Sequence, residues 1–269
     1  MYQDNTVVCK LQITRQIWPN DFVLRMKQLK NGILMFEFEL IEEKKKVFFR
    51  KIVAILIFLA YICNGAIYPY YENFPEPLNF LSSLLSLQFS FLAACLIPAI
   101  MILKKNEIYA EFKIRKLDKF KSLKICILAL FIFPFILITA IISSEIAKKF
   151  NLDVDDKFTT FLRTQKEFAM TILIFGGIFL APVVEELVFR LCLFNYFRGI
   201  LKRFNILFPV ILTSAIFALL HGDIIRAPAL FLLGIVLQYI FFRYKTILAP
   251  ILFHSMHNVL AFVSFYFFS

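Results

Sequence analysis

The chain has 269 residues, of which 60% are hydrophobic and 35 are Phe, and it carries a formal charge of +11. Its mean hydropathy is +0.76. This apolar content exceeds the roughly half found in soluble domains and excludes a soluble globular enzyme. The five cysteines, Cys9, Cys63, Cys95, Cys126 and Cys192, show no CxxC spacing. They read as small apolar packing residues, and neither a disulfide frame nor a zinc-ribbon site is expected.

The first segment, Met1–Glu43, is mixed polar and apolar without a clear period, and Glu42–Arg50 supplies a basic inside anchor. Met35 is an alternative start. No apolar run begins at the N-terminus, so no cleavable signal peptide is expected and the spans themselves direct insertion. Seven apolar runs then follow, near Ile52–Tyr70, Leu81–Leu103, Ile125–Ile142, Ala169–Phe194, Ile206–Leu220, Ala229–Phe242 and Ile247–Phe267. About 20 helical residues cross a bilayer, which predicts an all-α, polytopic membrane helical bundle of seven to eight transmembrane helices. The fifth and sixth runs are short. The loop Tyr68–Pro77 is aromatic and proline-rich, as expected at a membrane interface, and Ser143–Glu167 reads as a charged segment able to form a small amphipathic helix.

Charge follows topology. With the N-terminus inside, 23 of the 30 Lys and Arg fall in inner segments and six in outer ones, leaving Arg190 buried. The positive-inside rule then predicts a cytoplasmic N-terminus. The basic loop Lys104–Lys124 is expected to touch anionic lipid, and no aromatic-interleaved basic platform suggests nucleic acid.

Ionisable residues at membrane depth are functional candidates. The fourth run contains Ala181-Pro182-Val183-Val184-Glu185-Glu186-Leu187-Val188-Phe189-Arg190. Residues i and i+4 share a helix face, whereas neighbours point about 100° apart. Glu186 and Arg190 are therefore expected to pair, leaving Glu185 to face a cavity as a general base. The three histidines, His221, His254 and His257, all lie downstream in apolar runs. His254 and Asn258 are again i and i+4, and an imidazole and an amide so placed can both donate to one oxyanion. A structural ion pair and interhelical hydrogen bonding are the alternative readings.

The set Glu185-Glu186-x-x-x-Arg190, Phe217-x-x-x-His221 and His254-x-x-x-Asn258 resembles the three motifs of the CAAX prenyl endopeptidase and bacteriocin-processing intramembrane protease family, also called the Abi family. The likeness covers about Thr171–Phe262. Leu191 stands where that family usually has Gly after the motif arginine. The resemblance implies peptide-bond hydrolysis in a cavity within the membrane, on lipidated or membrane-bound peptides or proteins. Glu185 and His221 would activate water, His254 and Asn258 would stabilise the oxyanion, and Glu186 and Arg190 would support the site. It also implies a division into a cytoplasmic N-terminal segment (1–50), N-terminal transmembrane helices and loops (51–167) and a catalytic membrane domain with a four-helix core (168–269).

A metal-free mechanism with no cofactor is expected. The zinc alternative would use Glu185, His221 and His254 as a His₂Glu set, although there is no HExxH helix. A bacterial cytoplasmic membrane is the expected location. A transporter with buried charges, or a non-catalytic scaffold or immunity protein, are the competing functions. One tension remains in the spans: Glu185 and His254 lie near the inner edge of theirs, whereas His221 falls near the outer end of its own. For the three to meet, the fifth helix must start late, tilt, or continue past Gly222.

Overall fold

The computed structural model describes residues 35–71, 78–104, 107–108, 111, 113–150, 175–201 and 203–268. Among the described residues, seven long helical runs carry the fold and no strand occurs. They are α1 (Met35–Tyr71), α2 (Leu78–Ile102), α3 (Lys119–Lys149), α4, α5 (Leu207–Leu220), α6 (Ala227–Tyr244) and α7 (Leu248–Phe268). The α4 run is continuous but changes pitch, through Gly176–Leu180, Ala181–Glu186, Leu187–Leu193 and Phe194–Ile200. Each of the seven expected apolar runs is helical where it is described, and the chain is a polytopic helical membrane bundle. Four stretches, Lys45–Asn64, Leu85–Ile102, Lys119–Lys149 and Ala227–Tyr244, are long and apolar enough to cross a bilayer, and the apolar helices Leu207–Leu220 and Leu248–Ser264 are shorter.

The chain divides into two compact units, Met1–Phe48 and Phe49–Ser269. In the first, helix begins at Met35, where the sequence shows no clear period. Residues 1–34, 72–77 and 151–174 lie outside the described residues. The aromatic loop is therefore seen only up to Tyr71, still within α1, and the expected amphipathic helix of Ser143–Glu167 only in its first residues. Those continue α3 as far as Lys149 instead of leaving the span at Ile142. No breaker interrupts residues 143–149, and the Ser143 hydroxyl donates to the Ile225 carbonyl at 2.6 Å, tying this end of α3 to the loop before α6.

In the second unit, α6 packs along α5 and against α3, and α7 packs against α3, α6 and the first half of α4. α2 packs against Ala181–Leu193 of α4. Polar side chains at two-residue spacing divide the faces of α2, because two residues turn a helix by about 200°. Ser86 and Ser90 face α1, where Ser86 donates to Asn64 (2.8 Å) and Asn64 donates to Ser90 (3.2 Å). Gln88, between them, faces α4. Arg50 grips Glu111 through two contacts of 2.6 and 3.0 Å. Thr246 pins the entry to α7 by donating to the Arg115 carbonyl (2.8 Å) and accepting from its N–H (3.2 Å).

The α5–α6 contact is made close by small residues. A Cβ on Gly234 would lie 3.0 Å from Ser214 Cβ and 3.1 Å from its Cα. Overpacking of this kind displaces backbone and is expected to destabilise by about 1–3 kcal/mol. Thermal unfolding in detergent should therefore show a lower Tm for Gly234→Ala. An unchanged Tm would mean that the two helices are not held this tightly.

Candidate active site

Pro182 shapes α4 around the two glutamates. A proline ring clashes with the carbonyl four residues back in a regular α-helix and offers no N–H. Here the turn ahead of it is π-helical over Gly176–Leu180, with the Ala181 N–H reaching the Gly176 carbonyl five residues back. A second π stretch, Leu187–Leu193, follows the glutamates. Such wide turns recur at functional sites, and this pair brackets Glu185 and Glu186.

Glu186 is fully buried and forms the expected i,i+4 pair with Arg190, which is also fully buried. Arg190 Nε donates to Glu186 Oε2 at 2.8 Å and Nη2 to Oε1 at 3.4 Å. The guanidinium also lies over the Phe217 ring, 5.4 Å from its centre. His254 Nδ1 lies 3.0 Å from Glu186 Oε1. A carboxylate can only accept, so this nitrogen carries a proton and donates it. Arg190, Glu186 and His254 thus form one chain of charge-assisted contacts in a buried setting.

Glu185 points the other way. Its Oε1 accepts from Gln88 Nε2 at 3.4 Å, while its Oε2 is buried with no hydrogen-bond partner. Two imidazole nitrogens face that oxygen: His221 Nε2 at 3.9 Å and His254 Nε2 at 3.8 Å. His221 Nδ1 donates to the Phe217 carbonyl at 2.7 Å. In each neutral imidazole, a proton fixed at Nδ1 leaves Nε2 as an acceptor. Glu185 Oε2 is therefore ringed by proton-accepting atoms, an arrangement suited to holding and deprotonating a water. Phe217 is the platform beneath them, its buried ring lying 4.7 Å from His221 and 5.9 Å from His254.

The depth of His221 follows from the length of α5. Fourteen residues rise only about 21 Å, less than a bilayer core of about 30 Å. The helix stops at Leu220 because Gly222 takes a left-handed conformation, φ +70°, which favours glycine and ends helices. Asp223 then opens α6, accepting the backbone N–H groups of Ile225 and Arg226 and the Arg226 guanidinium. Burial pushes the Asp223 carboxyl up, but the donated bonds from Arg226 outweigh it and hold the carboxyl below its ordinary range. The helix neither continues past Gly222 nor begins late. It is short, so its C-terminal histidine ends within reach of α4.

The remaining residues make contacts elsewhere on α4 and α3. Asn258 Nδ2 donates to the Gly177 carbonyl at 2.7 Å, joining α7 to the first π stretch of α4. The second hydrogen of that amide is not used by this contact. His257 is buried edge-on against Phe133, with Nδ1 unpartnered. Leu191 is buried in the core, and its carbonyl accepts from Asn195 at 2.6 Å. Cys95 and Cys192 are buried free thiols with sulfurs 3.6 Å apart. The zinc alternative needs three donors about 2.0–2.2 Å from one point. Among the described residues, no group of three or more His, Cys, Asp or Glu side chains is placed to hold a metal ion.

Residues 167–260 match the family described as "Rce1-like: Type II CAAX prenyl endopeptidase Rce1-like". This segment is Rce1-like. The match bears out the resemblance drawn from the three motifs, and it contains Glu185, Glu186, Arg190, His221, His254 and Asn258. The family so described is one of endopeptidases, and the likeness is to this segment of the chain. No curated protein and no solved structure matches the chain. Gln88 lies outside the Rce1-like segment, and the three motifs gave no reason to single it out. The signal that could have found it is one amide in the apolar run Leu81–Leu103.

Proposed function

We propose that the chain is an intramembrane endopeptidase that hydrolyses a peptide bond of a lipidated or membrane-bound peptide or protein, with water activated by Glu185 and no metal. The observation that carries this reading is the unpartnered Glu185 Oε2 facing the Nε2 atoms of His221 and His254. A water between them would give one hydrogen bond to Glu185 and one to His221. Attack by its oxygen on the scissile carbonyl transfers a proton to Glu185, and the carbonyl oxygen becomes an oxyanion. Glu185 then returns the proton to the leaving nitrogen as the C–N bond breaks, releasing an amine and a carboxylic acid, which loses its proton to solvent.

The oxyanion needs donors. The spare hydrogen of Asn258 is one. His254, whose Nε2 is an acceptor while Nδ1 holds a proton against Glu186, joins it only after taking a second proton at Nε2. In this reading Glu186 supplies the balancing charge, and Arg190 holds it in place. The location is a bacterial cytoplasmic membrane, with the N-terminus and the basic loop before α3 on the cytoplasmic side.

The test is incubation of the purified protein with a quenched fluorescent prenylated peptide and with an unlipidated membrane-spanning peptide, in water enriched in ¹⁸O. One new peptide carboxylate carrying ¹⁸O is expected. Intact peptides in both cases, with solute flux in proteoliposomes or peptide binding without cleavage, would overturn the reading in favour of a transporter or a scaffold.

A further inference from the structure

We propose that Gln88, on α2 and outside the Rce1-like segment, is a positioning residue for Glu185. The inference rests on the proposed role of Glu185 as the water-activating base. Gln88 is 6% exposed, and its Nε2 donates to Glu185 Oε1 at 3.4 Å, across 97 residues of sequence. Its own Oε1 is buried without a partner. An unsatisfied buried amide acceptor costs about 1–3 kcal/mol, and a leucine on this face of α2 would avoid that. Packing alone therefore gives no reason for an amide here.

The contact divides the carboxylate into two unlike oxygens. Holding Oε1 fixes the carboxylate so that Oε2 is the oxygen turned toward His221 and His254. A carboxylate free to rotate would spend time with neither oxygen aligned, and misplacement of a reacting group by about 1 Å lowers rates by about 10²-fold. At 3.4 Å this hydrogen bond is long, so the expected loss is smaller than that. The polar neighbours of Gln88 on α2, Ser86 and Ser90, are committed to Asn64 on the opposite face. Among the described residues, Gln88 is the α2 side chain hydrogen-bonded to Glu185.

The experiment compares wild type, Gln88→Leu and Gln88→Asn with two readouts. The first is cleavage of the quenched prenylated peptide. Gln88→Leu is expected to lower kcat about 10-fold with KM little changed and with an undiminished Tm, and Gln88→Asn, which keeps an amide donor, to recover part of the loss. The second readout does not depend on turnover. A hydrophobic carbodiimide, which modifies carboxyls in apolar surroundings, is applied at fixed pH, and Glu185 labelling is read by mass spectrometry. Labelling is expected to rise in Gln88→Leu, because the amide no longer covers Oε1. If wild type cleaves nothing while labelling still rises, the protease reading fails and the positioning contact stands. If Gln88→Leu matches wild type in labelling, or in kcat where wild type cleaves, the proposal is overturned.

Discussion

Glu185→Gln is expected to lower kcat/KM for the prenylated peptide by about 10²- to 10⁴-fold, the range for loss of a general base. The substitution is nearly isosteric. Its amide oxygen can still face Gln88, and its nitrogen would face the two Nε2 acceptors in place of Oε2. The fold should survive, because Glu185 has no ion pair with Arg190 and its only described hydrogen bond is the one from Gln88. Thermal unfolding and substrate binding should therefore be close to wild type while turnover is lost, the signature of a group acting on the transition state. Turnover within a few-fold of wild type would remove Glu185 from the chemistry.

The second large effect concerns stability. Arg190→Ala would leave Glu186 as a buried carboxylate without its guanidinium, with His254 its remaining partner. Breaking a buried pair from one side costs about 3–5 kcal/mol, whereas replacing both partners by apolar groups of similar size is often neutral or stabilising. Equilibrium unfolding in mixed detergent should rank Arg190→Ala well below wild type and place the double variant Glu186→Leu/Arg190→Met near or above it. The double variant should nevertheless cleave poorly, since His254 loses the carboxylate that fixes its tautomer. Equal stabilities for the single and double variants would contradict a buried, mutually dependent pair.

These outcomes separate what the sequence made legible from what it did not. The bundle was legible because each membrane helix must satisfy its own backbone and present apolar side chains, which leaves long runs in the sequence. The Glu186–Arg190 pair was legible because four residues is the helical repeat. The meeting of His221 with Glu185 was not. It depends on a helix cut short at a left-handed glycine, and hydropathy places a short span poorly along the membrane normal. The π turns around Glu185 were also hidden, since Pro182 signals a helix start as readily as a widened turn. Gln88 was hidden for a different reason: its partner lies 97 residues away, and only packing of α2 on α4 brings them together. The charged tail of Ser143–Glu167 suggested an early end to α3, but lysines and a glutamate are good helix formers and the helix runs on to Lys149.

The central claim is that Glu185 activates water directly. It is tested most directly by measuring peptide cleavage and bound metal on the same preparation, before and after exhaustive chelation. Full activity in protein holding far less than one metal ion per chain is the predicted result. Loss of activity on chelation, restored in proportion to zinc bound and abolished together with zinc binding by His221→Ala, would contradict it and make Glu185 and the two histidines ligands.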